Sequence, residues 1–191
     1  MGWQVTISIP NILTILRILL TPLFIILLLR NQLTSALLVF TLAGISDALD
    51  GFIARYFNLR TELGAYLDPT ADKLLLTSAY ICLAVLGVIP SWLTVIVITR
   101  DVVIVLGIAI LTITEKKYEV KPSIISKLTT AAQIATVFII LLKPTFTGFD
   151  VARSQLYWIT AVLTTLSGLH YIYVGMHILQ EAPGGNEPPP H

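Results

Sequence analysis

Apolar residues run along this chain in long stretches broken by short polar or Pro/Gly segments, most of them close to the roughly 20 residues that a helix needs to cross a bilayer. The pattern predicts six helices, over residues 11–30, 33–57, 62–88, 91–113, 124–143 and 155–179. The breaks are "RNQLT", "NLRTE", "GVIPS", "TEKKYEVKP" and "KPTFTGFDVARS", and no β alternation competes with the helices. Trp3, Trp92, Tyr118, Tyr157 and Trp158 fall near predicted ends, where interfacial aromatics gather. No internal repeat suggests an inverted-topology transporter. The organisation expected is one transmembrane domain over residues 1–180 and a disordered tail, "EAPGGNEPPPH", over 181–191.

Composition turns this pattern into an all-α integral membrane protein. With 55% hydrophobic and 12% charged residues, a soluble domain would expose more apolar surface than water tolerates. The net charge of +1 offers no broad basic surface for nucleic acid. Cys82, the single cysteine, can form no intramolecular disulfide. The first apolar run lacks a preceding basic residue and a small-residue cleavage site and is interrupted by Arg17, so it reads as a retained span rather than a signal peptide. Six spans put both termini on one side. The loops there hold Arg55, Arg60, Lys116, Lys117, Lys121 and Lys127, against Arg30, Lys143 and Arg153 opposite, which makes that side cytoplasmic. The lack of a targeting segment suits a bacterial inner membrane; an organelle protein trimmed of its presequence would look similar.

Against this background the stretch "SDALDGFIARYFNLRTELGAYLDPTADK" stands out. It places Asp47 and Asp50 at i,i+3 and Asp68 and Asp72 at i,i+4, so each pair projects from one helix face. The short turn makes the two helices antiparallel neighbours, and two such faces meeting would cluster four carboxylates. Such a cluster needs a counter-charge. A hard divalent cation, Mg²⁺ or Mn²⁺, is the natural one, and four carboxylates suffice for two metals. Gly51, Ala54 and Gly64 leave space beside the carboxylates, and Arg55 is placed to neutralise phosphate. Two other readings are an ionic clamp, in which the aspartates pair with Arg17, Arg55, Lys73 and Arg100, and an acid-lined ion pathway, which no other helix continues.

Asp47-x-x-Asp50-Gly51-x-x-Ala54-Arg55, eight residues, then Gly64-x-x-x-Asp68-x-x-x-Asp72 resembles the full signature of the CDP-alcohol phosphotransferases, membrane enzymes of phospholipid synthesis. The resemblance implies CDP-diacylglycerol as donor, with CMP leaving when an acceptor hydroxyl attacks the phosphatidyl phosphorus. It further implies that Asp47, Asp50 and Asp68 hold the metals, that Asp72 is the general base and also touches metal, that Gly51, Ala54, Arg55 and Gly64 line the CDP site, and that the protein is a homodimer. "PNILTILR" is similar to the first-helix opening of the family's phosphatidylglycerophosphate and cardiolipin synthase branches. There Asn11 and Thr14 either line the nucleotide site or serve as a helix cap and a back-bonded hydroxyl.

The acceptor depends on cations outside the signature. Phosphatidylglycerophosphate synthases usually carry a second arginine further along helix 4 and a second lysine early in helix 5, suited to the dianionic phosphate of glycerol 3-phosphate. Ile108 and Thr129 stand at those positions here. Arg100-Asp101 followed by an apolar run, and Lys121-Pro122-x-x-Ile125-Ser126-Lys127, are instead similar to cardiolipin synthases of the eukaryotic type, whose acceptor is phosphatidylglycerol. Arg100 and Lys127 are the acceptor-phosphate candidates, with an internal salt bridge and a snorkelling lysine as the structural readings of each. Lys116, Lys117 and Lys121 suit anionic membrane lipids. His170 reads as a packed polar residue or as one wall of a lipid-access groove.

Overall fold

The computed structural model describes residues 9–56, 62–113, 123–142 and 149–180; within these, the side chains of 9–12, 50–56, 62–70, 112, 149, 150 and 179 are outside the described set. Six helices follow in chain order: α1 (Ile9–Leu29), α2 (Leu33–Tyr56), α3 (Glu62–Val85), α4 (Ser91–Ile113), α5 (Ile124–Leu142) and α6 (Phe149–Gln180). Trp3, Tyr118 and the tail from residue 181 lie outside the described residues. Among the described residues α4, α5 and α6 are long and apolar enough to cross a membrane, with shorter apolar runs at Leu13–Leu29 and Leu33–Leu49.

Two helix stops have visible backbone causes. Asn31, with φ 58°, ends α1 in the left-handed conformation, while its amide donates to the Leu28 carbonyl and the Gln32 amide to that of Leu27. Gly87, with φ 68°, repeats the motif after α3, where Gly87 and Val88 donate to Ala84 and Leu83. This turn is why α3 closes at Val85 rather than at the predicted residue 88. Pro90 then begins the next helix by accepting from the amides of Leu93 and Thr94. At α5 the Ser123 hydroxyl accepts from the Ser126 amide at 3.1 Å, an N-cap that satisfies one of the helix's orphan donors.

α6 starts at Phe149 rather than at the predicted residue 155. A polar segment breaks an apolar pattern without breaking a helix, since backbone hydrogen bonding can continue where the side chains leave the hydrocarbon. Trp158 therefore sits well inside α6, yet its ring stacks on Trp92 near the start of α4, with centroids 5.2 Å apart. That pair marks the level at which α4 begins.

α1 packs on α2 and α3, α6 packs on α4 and α5, and α5 also reaches α2 and α3. Phe24 and Leu28 of α1, Phe40 of α2, and Leu83 and Tyr80 of α3 form the buried centre, with the Phe24 and Phe40 rings 5.7 Å apart. The outward faces remain apolar, as Leu19, Leu38, Val95 and Val105 show, which is the inside-out economy of a chain whose solvent is lipid. Polar groups do the packing between α5 and α6. Thr129 donates to the Leu163 carbonyl at 2.9 Å, Gln133 to Thr164 at 3.3 Å, and the Thr136 and Thr160 hydroxyls pair at 2.8 Å. Each such bond contributes on the order of 0.6 kcal/mol in a membrane, and their regular spacing fixes the register of the pair.

Gly87→Ala forces a Cβ into the left-handed region although space is open around it. The substitution is expected to lower stability by about 1 kcal/mol, read as a reduced thermal midpoint in detergent, while Asn31→Gly raises it.

Candidate active site

Three helices bring their ionisable groups together through one side chain. Arg17, fully buried on α1, places Nη2 2.8 Å from Oδ1 of Asp47 on α2 and Nη1 2.5 Å from Oδ1 of Asp72 on α3. The carboxylate ends are not buried with it: the Asp47 and Asp72 side chains are 42% and 46% exposed. The guanidinium thus forms the floor and the carboxylates the rim of an open site. Thr14 is buried one turn before Arg17, and one turn after it the Thr21 hydroxyl donates to the Arg17 carbonyl at 3.0 Å.

Asp50, Gly51, Ala54 and Arg55 continue along α2, and Gly64 and Asp68 precede Asp72 on α3. The helices α2 and α3 therefore carry every signature position on helical backbone. The side chains of these six residues, and that of Asn11, lie outside the described residues. No group of three or more metal-ligating side chains occurs among the described residues, a set that contains only the outer two of the four aspartates.

A second ionic group joins α3 to the other half of the bundle. Oδ1 of Asp101, on α4, accepts from Lys73 and from Nη1 of Arg100 at 2.8 Å. Arg100 Nη2 donates to Ser126 of α5 at 2.6 Å and to Ser167 of α6 at 3.0 Å, and its guanidinium lies 5.9 Å from the centre of the Tyr171 ring. Gly168 packs against this side chain, and a Cβ there would meet Arg100 Cγ at 3.6 Å, an ordinary van der Waals contact.

Of the two acceptor candidates, Arg100 is enclosed within the bundle, whereas Lys127 is exposed in the first turn of α5. Ile108 lines an apolar cavity of about 340 Å³ between α4 and α6, with His170 and Tyr171 on its opposite wall. Thr129 is buried, its hydroxyl shared between the Ile125 carbonyl at 2.8 Å and the Leu163 carbonyl at 2.9 Å.

Pattern reading named Arg17 and Lys73 only as counter-charges, and gave no role to Asp101 as a partner of Arg100 and Lys73. The signal that could have raised Arg17 was its isolation, since a lone cation within an apolar run must meet an anion from another helix. Ser126, Ser167 and Tyr171 carried no such signal, because hydroxyls are common inside membrane helices.

The chain is similar to known proteins over most of its length. The family profile for CDP-alcohol phosphatidyltransferase matches residues 7–166, which includes Arg17, both signature helices and Lys73, Arg100 and Asp101. The human cardiolipin synthase (CMP-forming) is 37% identical over 190 residues, covering 91% of this chain and 63% of the relative. A probable phosphatidylglycerophosphate synthase of Mycobacterium tuberculosis is 34% identical over 172 residues, covering 86% and 80%. The CDP-diacylglycerol–glycerol-3-phosphate 3-phosphatidyltransferase of Wigglesworthia glossinidia brevipalpis is 33% identical over 173 residues, covering 87% and 94%. This chain spans just under two thirds of the human relative's length. With the profile matched across most of the chain, and with carboxylates of the two signature helices meeting on one buried arginine, the chain belongs to the CDP-alcohol phosphatidyltransferase family.

Proposed function

We propose that this protein transfers the phosphatidyl group of CDP-diacylglycerol to phosphatidylglycerol, giving cardiolipin and CMP. The observation that carries the transfer chemistry is the meeting of Asp47 and Asp72 on Arg17, which fixes carboxylates from α2 and α3 in one open site. The acceptor oxygen forms a bond to the phosphatidyl phosphorus, the bond from that phosphorus to the CMP oxygen breaks, and Asp72 takes the acceptor's proton. Arg17 orients Asp72 for this role by holding Oδ1, so that the reacting groups need no reorganisation. The six helices span the membrane with the carboxylates facing the cytoplasm.

The donor set fits a divalent cation, because carboxylate oxygens are hard ligands and those of Asp47 and Asp72 reach the open side of the bundle. Asp47, Asp50, Asp68 and Asp72 would hold Mg²⁺ or Mn²⁺, which when bound would offset the charge of the CDP diphosphate. Arg55, Gly51, Ala54 and Gly64 line the CDP part, with Asn11 and Thr14 beside it. Arg100 and Lys127 belong to the acceptor side, and the protein works as a homodimer.

Phosphatidylglycerol is favoured because residues 108 and 129 supply no cation for a phosphate dianion: Ile108 faces an apolar cavity and Thr129 is engaged inside the helix pair. The second reading takes glycerol 3-phosphate as acceptor. It is supported by the relatives named for that reaction, which match this chain at 34% and 33% identity.

CMP release from the purified protein in liposomes, with CDP-diacylglycerol and either Mg²⁺ or Mn²⁺, separates the two. Release with phosphatidylglycerol and none with glycerol 3-phosphate is expected, and the reverse would transfer the reading to phosphatidylglycerophosphate synthesis. Asp72→Asn should abolish turnover while CDP-diacylglycerol still binds; substantial residual activity would remove Asp72 as the base. Arg17→Met removes the buried link between α1 and two half-exposed carboxylates and should lower stability by about 1 kcal/mol after solvent screening of the exposed ends, measured as a lower thermal midpoint, together with loss of CMP release. An unchanged midpoint would show that the clamp does not hold α1 to its neighbours.

A further inference from the structure

The two cations that share Asp101 are not equivalent. Arg100 is enclosed: Nη1 is held by Asp101, Nη2 by Ser126 and Ser167 and Nε by Ser167 at 3.3 Å, and the side chain is 4% exposed. An acceptor phosphate reaching it would have to displace bonds made inside a packed helix junction. Lys73 is 44% exposed, and among the described residues its ammonium donates to Asp101 alone, although an ammonium carries three donors. Lys73 also directly follows Asp72 on α3, on an adjoining face of the helix, close enough for the two charges to act on each other.

We propose that Lys73 is the residue that binds the acceptor's phosphodiester, with Asp101 positioning its ammonium and Arg100 acting as the buried strut that positions Asp101. The inference rests on the phosphatidyl-transfer reading and assigns its acceptor site. With Asp72 the next carboxylate on α3, the trio of Lys73, Arg100 and Asp101 carries one net positive charge among the described residues. A phosphodiester, with one negative charge, neutralises it. A phosphate monoester carries nearly two at neutral pH, and its second charge would remain unpaired beside the Asp47 and Asp72 carboxylates, where it is repelled. The cluster thus discriminates by charge count. Lysine suits the task because its ammonium is a rotatable point charge on a flexible stem, able to stay on Asp101 while taking a second oxygen.

The test uses the full chain in liposomes, following CMP release while phosphatidylglycerol is varied at saturating CDP-diacylglycerol, and then the converse. Lys73→Met is expected to raise the KM for phosphatidylglycerol about tenfold and leave that for CDP-diacylglycerol within about twofold. Lys73→Arg should recover most of the loss, and Asp101→Asn should fall between. Glycerophosphoglycerol, the soluble phosphodiester headgroup, should compete with phosphatidylglycerol against the wild type and lose that effect in Lys73→Met. On the wild-type protein, which needs no variant to fold, it should also slow modification of Lys73 by an amine-reactive reagent, read by peptide mass spectrometry, while CMP should not. Equal shifts for both substrates with no rescue by arginine would reduce the trio to a helix clamp. Unaltered acceptor dependence in Lys73→Met, labelling of Lys73 indifferent to glycerophosphoglycerol, or a selective effect of Lys127→Ala alone would each overturn the assignment. A wild type silent with phosphatidylglycerol sinks the phosphatidylglycerol reading on which this assignment rests, whatever the variants do, and one silent with glycerol 3-phosphate as well sinks transfer to either acceptor.

Discussion

A fully buried guanidinium between two half-exposed carboxylates is the interaction on which this bundle depends. Removing Arg17 from water carries a desolvation cost that only close anionic partners can offset, and the carboxylates that supply them come from α2 and α3. The charge therefore does more than hold two residues. It fixes how α1 rotates and slides against both neighbours, and Phe24 and Leu28, about two and three turns further along the same helix, then pack into the centre. In lipid, apolar side chains supply little preference for one helix face over another. A single unavoidable ionic partnership is correspondingly decisive.

The other half of the bundle repeats the device with a different outcome. Arg100 is also buried in mid-helix, but its partners are Asp101, Ser126, Ser167 and Tyr171, so its donors close on α4, α5 and α6. The hydroxyl ladder between α5 and α6 extends that closure through Gln133 to Thr136 and Thr160. Lys73 and Asp101 connect the two halves. An arginine whose carboxylates are half exposed and one that is enclosed by hydroxyls share a residue type and a depth of burial; their partners separate an open carboxylate rim from an enclosed joint.

Similarity to relatives bears on the acceptor less firmly than on the family. Proteins named for cardiolipin synthesis and proteins named for phosphatidylglycerophosphate synthesis match this chain at comparable identity. What separates the acceptors chemically is one negative charge and two acyl chains. The proposed acceptor rests on two local features, the apolar wall at Ile108 and the one net positive charge that Lys73, Asp101 and Arg100 carry among the described residues.

Much of this protein was legible in its sequence, because the constraints involved are local. Apolar run length fixed the number of helices and most of their ends, and the aspartate spacing located the signature on α2 and α3, since helical periodicity turns i,i+3 and i,i+4 into a shared face. The stop of α3 at Val85 and the early start of α6 at Phe149 were missed, because backbone hydrogen bonding does not follow hydropathy. The partners of each charge could not be read from the chain at all. Arg17 meets Asp72 across 55 positions and Arg100 meets Ser167 across 67, and a pairing at such separation is selected by how whole helices pack. For that reason the sequence alone determined which chemical groups were present and on which helices, while only the tertiary structure decided that Arg100 is enclosed and Lys73 remains open.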